Sequence, residues 1–119
     1  MTKALRAQDY LGHILEAIER IYRYVADMDE LAFLNSALVQ DAVIRNIEII
    51  GEASNNIQRH APDFANKYDN IPWQVMYTMR NRVAHGYHKV DLEIIWKTIQ
   101  SDLPGLHAQI AELRQIISP

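Results

Sequence analysis

The chain has 119 residues, no cysteine, 49% hydrophobic and 23% charged residues, and a formal net charge of −3 with histidine counted neutral. That size predicts a single domain over 1–119, and a composition at the globular average excludes wholesale disorder. The missing cysteines exclude a disulfide framework and any thiolate metal site, and an isoelectric point near 5.9 argues against a dedicated duplex-DNA binder, which carries a broad basic face. RNA stays open, because local charge can differ from the average. The N-terminal stretch MTKALRAQDYLGH has no apolar segment of signal-peptide length. No run approaches the roughly 18 apolar residues of a membrane span. The expectation is a cytoplasmic protein with no membrane role.

Apolar residues recur at helical spacing almost throughout, and no run alternates with period two for long enough to make a strand. The first helix is expected from about residue 8 to 27, with Leu11, Ile14, Leu15, Ile18, Ile21, Tyr22 and Val25 as its apolar stripe. Glu16 and Arg20 on its other side form a favourable i,i+4 pair. Asp27 to Glu30 break that helix and lead into a short turn through Phe33 and Leu34. Asn35 and Ser36 are helix-start residues. A long second helix over 37–60 follows, with Leu38, Val39, Ala42, Val43, Ile47, Ile50, Ala53 and Ile57 facing the core. Pro62 and Asp63 open a short helical piece ending near Tyr68. Pro72 suits the first position of a third major helix that runs to about His85, where Gly86 supplies a stop. Asp91 is a good N-cap for a last segment from Leu92 to Ile117, which Pro104 and Gly105 should kink or divide. Together these predict an all-α fold, an antiparallel bundle of four to five helices.

The second helix also carries a polar stripe, Asp41, Arg45, Glu48, Glu52, Asn56 and Arg59, at steps of three and four. It reads either as a solvated face laced with ion pairs or as the wall of a polar cleft. Gly51, in mid-helix, fits the close approach of another backbone.

The densest chemistry lies in Met79-Arg80-Asn81-Arg82-Val83-Ala84-His85-Gly86-Tyr87-His88-Lys89. With no acid before Asp91, this is a local positive patch in an acidic chain. Asn81 and His85 are i,i+4, so the amide can orient the imidazole. His85 falls at a helix C-terminus, where the dipole favours the imidazolium and keeps the ring within reach of acid–base work. The patch reads as a basic helix end of structural use only, as a metal site or as phosphate chemistry. For metal, His85 and His88 across a helix-ending glycine make a poor ligand frame. For phosphate, arginine offers a bidentate grip and histidine moves protons. Arg82 and Lys89 are either solvated surface or contacts to an RNA backbone.

Arg80-x-x-x-x-His85-x-Tyr87 resembles the R-x4-H-x-Y signature of the HepT toxins of the HEPN superfamily. The segment Asp41-Ala42-Val43-Ile44-Arg45-Asn46-Ile47-Glu48-Ile49-Ile50-Gly51-Glu52-Ala53 is similar to that family's second-helix region. Ile71-Pro72-Trp73, and the stretch from Asp91 through Trp96 to Asp102-Leu103-Pro104, extend the likeness over nearly the whole chain. The resemblance implies a HEPN-like all-α homodimer that dimerises across a helical interface. It implies the toxin of a HEPN/MNT toxin–antitoxin pair, a metal-independent endoribonuclease without a cofactor of its own. The implied partner is an MNT-type nucleotidyltransferase antitoxin that uses ATP to place AMP on the motif tyrosine. By position, Arg80 and His85 are then catalytic and Tyr87 is the AMPylation site. Asn81, Arg82, Lys89, Arg45 and Glu52 are supporting or RNA-binding residues. A different class of reading, a non-catalytic adaptor that binds nucleotide or presents Tyr87 to the transferase, uses the same patch.

Overall fold

A computed structural model describes the backbone of residues 3–84 and 92–117, and the side chains of 7–79 and 92–117. Among the described residues every regular element is helical: α1 (Lys3–Val25), α2 (Glu30–Leu34), α3 (Ala37–His60), α4 (Pro62–Lys67), α5 (Trp73–Ala84), α6 (Leu92–Lys97) and α7 (Leu103–Ile117), with a π-helical turn at Thr98–Asp102 between the last two. This is the all-α bundle expected, with α2 and α4 as short connecting pieces.

The core forms where the apolar stripes of α1 and α3 meet. Leu11, Ile14, Ile18 and Ile21 of α1 and Val43, Ile47, Ile50 and Ile57 of α3 are fully buried. The seam has one polar clasp. Asn46, buried in α3, donates to the Ala42 carbonyl at 2.8 Å and accepts from Arg20 of α1 at 3.3 Å. Arg20 also reaches Glu16 at 3.5 Å, the i,i+4 pair read from the sequence. At the other end of the bundle α7 crosses α1, and the Arg114 guanidinium lies over Gly12, where an added Cβ would stand 3.1 Å from Nη2. Farther along the same pair, Glu19 and His107 meet at 3.2 Å beside the Tyr22 ring.

The starts of α2 and α3 follow from capping chemistry. Asp29 accepts from the Ala32 amide at 2.9 Å, and Ser36 from the Val39 amide at 3.4 Å, each satisfying a donor that the first turn leaves free. Three expectations need correction. The first helix begins before residue 8, at Lys3, because Ala4, Leu5, Arg6 and Ala7 are strong helix formers and Ala7 is buried; it ends at Val25, two residues early, where the Met28 amide closes a turn on the Val25 carbonyl at 2.9 Å. Leu38 is 82% exposed rather than in the core. With Arg20 level with Asn46 and the two helices antiparallel, α1 ends before it reaches Leu38.

The third correction concerns the last segment, which is divided ahead of Pro104 rather than at it. Leu103 bonds back to the Thr98 carbonyl, five residues away. Proline has no N–H to return, and its ring would press on the carbonyl four residues earlier. A widened turn placed just before it lets α7 begin with Pro104 in its first turn. The Asp91 cap and the Gly86 stop lie outside the described residues.

Candidate active site

The helix that carries the motif is anchored at its start. The Ser54 hydroxyl of α3, fully buried, donates to the Trp73 carbonyl at 2.7 Å. The Trp73 indole N–H is shared between the Ala65 and Tyr68 carbonyls, both at 3.2 Å, at the end of α4. Phe64 packs beside it, its ring centroid 6.4 Å from that of Trp73. Trp73 is therefore a core residue with its polar tip satisfied. Trp96 is half-buried against Phe33, ring centroids 5.4 Å apart, so it too is packing rather than a platform for bases.

From Trp73, α5 packs along α3. Only six residues of α3 remain beyond Ser54, so α5 runs back toward the N-terminal half of α3. Seven residues on, at about 1.5 Å per residue, the backbone of Arg80 stands roughly level with Ile47. Ile47, Gly51 and Ser54 recur at helical spacing on α3 and are all buried, and Ser54 makes the contact to the start of α5. Asn81 and Arg82 follow Arg80 in the last turns of α5. The side chains of these three lie outside the described residues, as do His85, Tyr87, His88 and Lys89 entirely.

The two candidates on α3 do not point into this seam. Arg45 and Glu52 are exposed on the polar stripe with Asp41 and Arg59, while Glu48 and Asn56 are half-buried. The stripe is solvated but not laced with ion pairs. Among the described residues the salt bridges are Arg20–Glu16 and His107–Glu19, and neither touches it. Among the described residues the charges of the stripe form no ion pair. No group of three metal-ligating side chains comes together among the described residues, a statement that leaves out His85 and His88.

Two positioning residues were passed over in the sequence, Asn46 and Ser54. Each is a polar side chain inside the apolar stripe of α3, and that breach of the pattern is the signal that marks them. A cavity of about 330 Å³ between α5 and the π-turn was also passed over. No local pattern announces it.

The profile of the ribonuclease HepT-like family matches residues 14–113. The chain belongs to this family. Among its relatives is "Probable ribonuclease HepT" of Thermococcus cleftensis, 42% identical over 108 residues, 91% of this chain and 96% of that one. Another is "Gamma-glutamylcyclotransferase and putative RNase MJ0434" of Methanocaldococcus jannaschii, 42% identical over 106 residues. That alignment covers 89% of this chain but 46% of the relative, so the chain spans about half of that longer protein. A third, "Putative RNase MJ1380" of the same organism, is 36% identical over 101 residues, 85% of this chain and 90% of that one. No solved structure matches the chain. No described helix of this HepT-like chain is long and apolar enough to cross a membrane.

Proposed function

We propose that this member of a ribonuclease family is the toxin of a toxin–antitoxin pair. It cleaves single-stranded RNA without a metal ion or a cofactor of its own, as a homodimer in the cytoplasm. The observation that carries the reading is the family match over residues 14–113, which contains the whole Arg80-x4-His85-x-Tyr87 motif. Support also comes from the fold, which gives the motif helix a fixed start at Trp73.

The chemistry asks for three things. A base removes the 2′-hydroxyl proton, and that oxygen bonds to phosphorus. The bond to the 5′-oxygen breaks, and an acid gives that oxygen a proton. Positive charge steadies the five-coordinate transition state between these events. One chain offers one histidine in the motif, and a two-fold dimer offers two. In this scheme one His85 is the base, its mate is the acid, and Arg80 grips the phosphate. Asn81 orients the imidazole, while Arg82, Lys89 and the exposed Arg45 contact RNA backbone. Glu52 supports the site from the polar stripe of α3.

Regulation follows from charge. A nucleotidyltransferase antitoxin transfers AMP from ATP to the Tyr87 hydroxyl, releasing pyrophosphate. The new phosphate sits two residues from His85, among Arg80, Arg82 and Lys89, and competes with RNA for those cations. Cleavage of a defined single-stranded RNA in EDTA, by wild type and by His85→Ala, tests the reading. Cleavage by wild type and a loss of roughly 100-fold or more in the variant, with dimer and melting temperature kept, is the expected result. Equal cleavage by both places the activity elsewhere. No cleavage by a folded wild-type dimer turns the reading toward the adaptor.

A further inference from the structure

The α5–α7 side of the molecule holds a cavity of about 330 Å³, within the range of about 300–1,000 Å³ common for small-ligand sites. Its floor is apolar: Met76, Leu103 and Leu106 are buried, and Met79 closes one side. Its opposite wall is the π-turn Thr98–Asp102, a rare conformation that recurs at functional sites.

The polar groups on that wall differ in what they have left to give. The Thr98 hydroxyl is spent on the Ile94 carbonyl at 2.9 Å, and the Gln109 amide reaches the Asn70 carbonyl at 3.4 Å. Ser101 and Asp102 are exposed and have no protein partner among the described residues. A carboxylate and a hydroxyl therefore face solvent beside the apolar floor of the slot. Gly105 lines the slot at a position with room for a side chain, since an added Cβ there would meet nothing within 4 Å.

The cavity also lies along α5, the helix that leads into the motif. Its lining residue Met76 stands four residues before the backbone of Arg80, about 6 Å along the axis, the scale of one nucleotide. The geometry points to a nucleobase pocket for the RNA residue next to the cleaved phosphate, with guanine as its occupant. The methionines and leucines take the faces of the ring. Asp102, which only accepts hydrogen bonds when ionised, takes the two adjacent N–H donors of the guanine Watson–Crick edge. Adenine, cytosine and uracil lack two adjacent donors there, so the carboxylate selects against them. This inference rests on the ribonuclease reading above and adds a base preference to it.

Two measurements separate the inference from that reading. The unmodified full chain is given single-stranded RNAs that differ only in the base at a repeated position, and separately GMP, AMP, CMP and UMP in titration calorimetry. Cleavage beside guanine is expected to be roughly 10- to 100-fold faster than beside other bases, the discrimination one good bidentate contact provides. Asp102→Asn, on the surface, should abolish the preference. Gly105→Leu, which fills the slot from a position with room for it, should do the same with its melting temperature kept. Cleavage without a base preference, or a guanine preference that survives in Asp102→Asn, overturns the pocket and leaves the nuclease standing. No cleavage of any RNA overturns the nuclease reading instead, and the titrations then judge the pocket alone. Selective GMP binding that Asp102→Asn removes upholds it, and no selective binding overturns it.

Discussion

The two halves of this bundle are built differently. The α1–α3 half is two uninterrupted helices of 23 and 24 residues, joined by a dry seam of leucine, isoleucine and valine and one polar clasp, Arg20–Asn46. The α5–α7 half is broken into helices of 12, 6 and 15 residues with a π-turn, and it encloses open space. The motif and the cavity both belong to this second half. The buried α1–α3 seam supports the helices around it, while the space between α5 and the π-turn leaves room for a ligand.

The sharpest test of that contrast is a pair of truncations. Ile50→Ala removes a fully buried side chain from the tight seam and should cost about 2–5 kcal/mol in urea unfolding. Met79→Ala, partly exposed and lining an existing cavity, should cost less than about 1 kcal/mol, because less apolar surface is withdrawn from solvent there. Equal losses would break the comparison.

Next in size is the joint between the halves. Trp73→Phe keeps the ring contacts but leaves the Ala65 and Tyr68 carbonyls without the indole donor. A loss of about 1–3 kcal/mol is expected. Because α5 starts at this joint, RNA cleavage should fall along with stability. A variant that loses stability alone would show that the joint does not position the motif.

Ser36→Ala removes the cap of α3. It should lower stability by about 1 kcal/mol and leave cleavage unchanged, since the cap stands at the start of the stabilising half.

The smallest effect has the opposite sign. The Tyr22 hydroxyl is buried with no hydrogen-bond partner among the described residues, and burial raises its pKa above the usual 10.0. Tyr22→Phe should be neutral or stabilising by less than about 1 kcal/mol, as the unsatisfied group is removed. The wild type has a pH signature as well. The unfolded tyrosine ionises first, so below pH 10, where both states hold the proton, its ionisation costs the folded state nothing. As pH rises through 10 toward the folded value, the unfolded state gains by losing the proton and stability falls. That part of the alkaline loss should vanish in Tyr22→Phe melts compared across pH 9–11.

Much of the fold was legible in the sequence. The span of α3 and its Ser36 cap, the α1 stripe, the Glu16–Arg20 pair and the buried Gly51 all follow from rules that act over one to four residues. The errors share a cause. Leu38 has the right spacing for the core but stands past the end of α1, and a helix pattern carries no information about where its neighbour stops. The division ahead of Pro104 came early because a π-turn relieved the proline from upstream. Of the site, the residue types and order of the motif were readable, whereas the anchor that sets its helix was not, because Ser54 and Trp73 are 19 residues apart.

The sequence alone determined that the chain is helical, where its long helices cap, and the Arg80-x4-His85-x-Tyr87 motif on which the proposed function rests, because periodicity, capping and a short motif are local properties. Tertiary structure alone decided that Ser54 fixes the start of α5, that the charges of the α3 stripe form no ion pair among the described residues, and that a slot opens between α5 and the π-turn. Those depend on how far one helix extends past another and on the volume left between them, and neither is encoded within a few residues of chain.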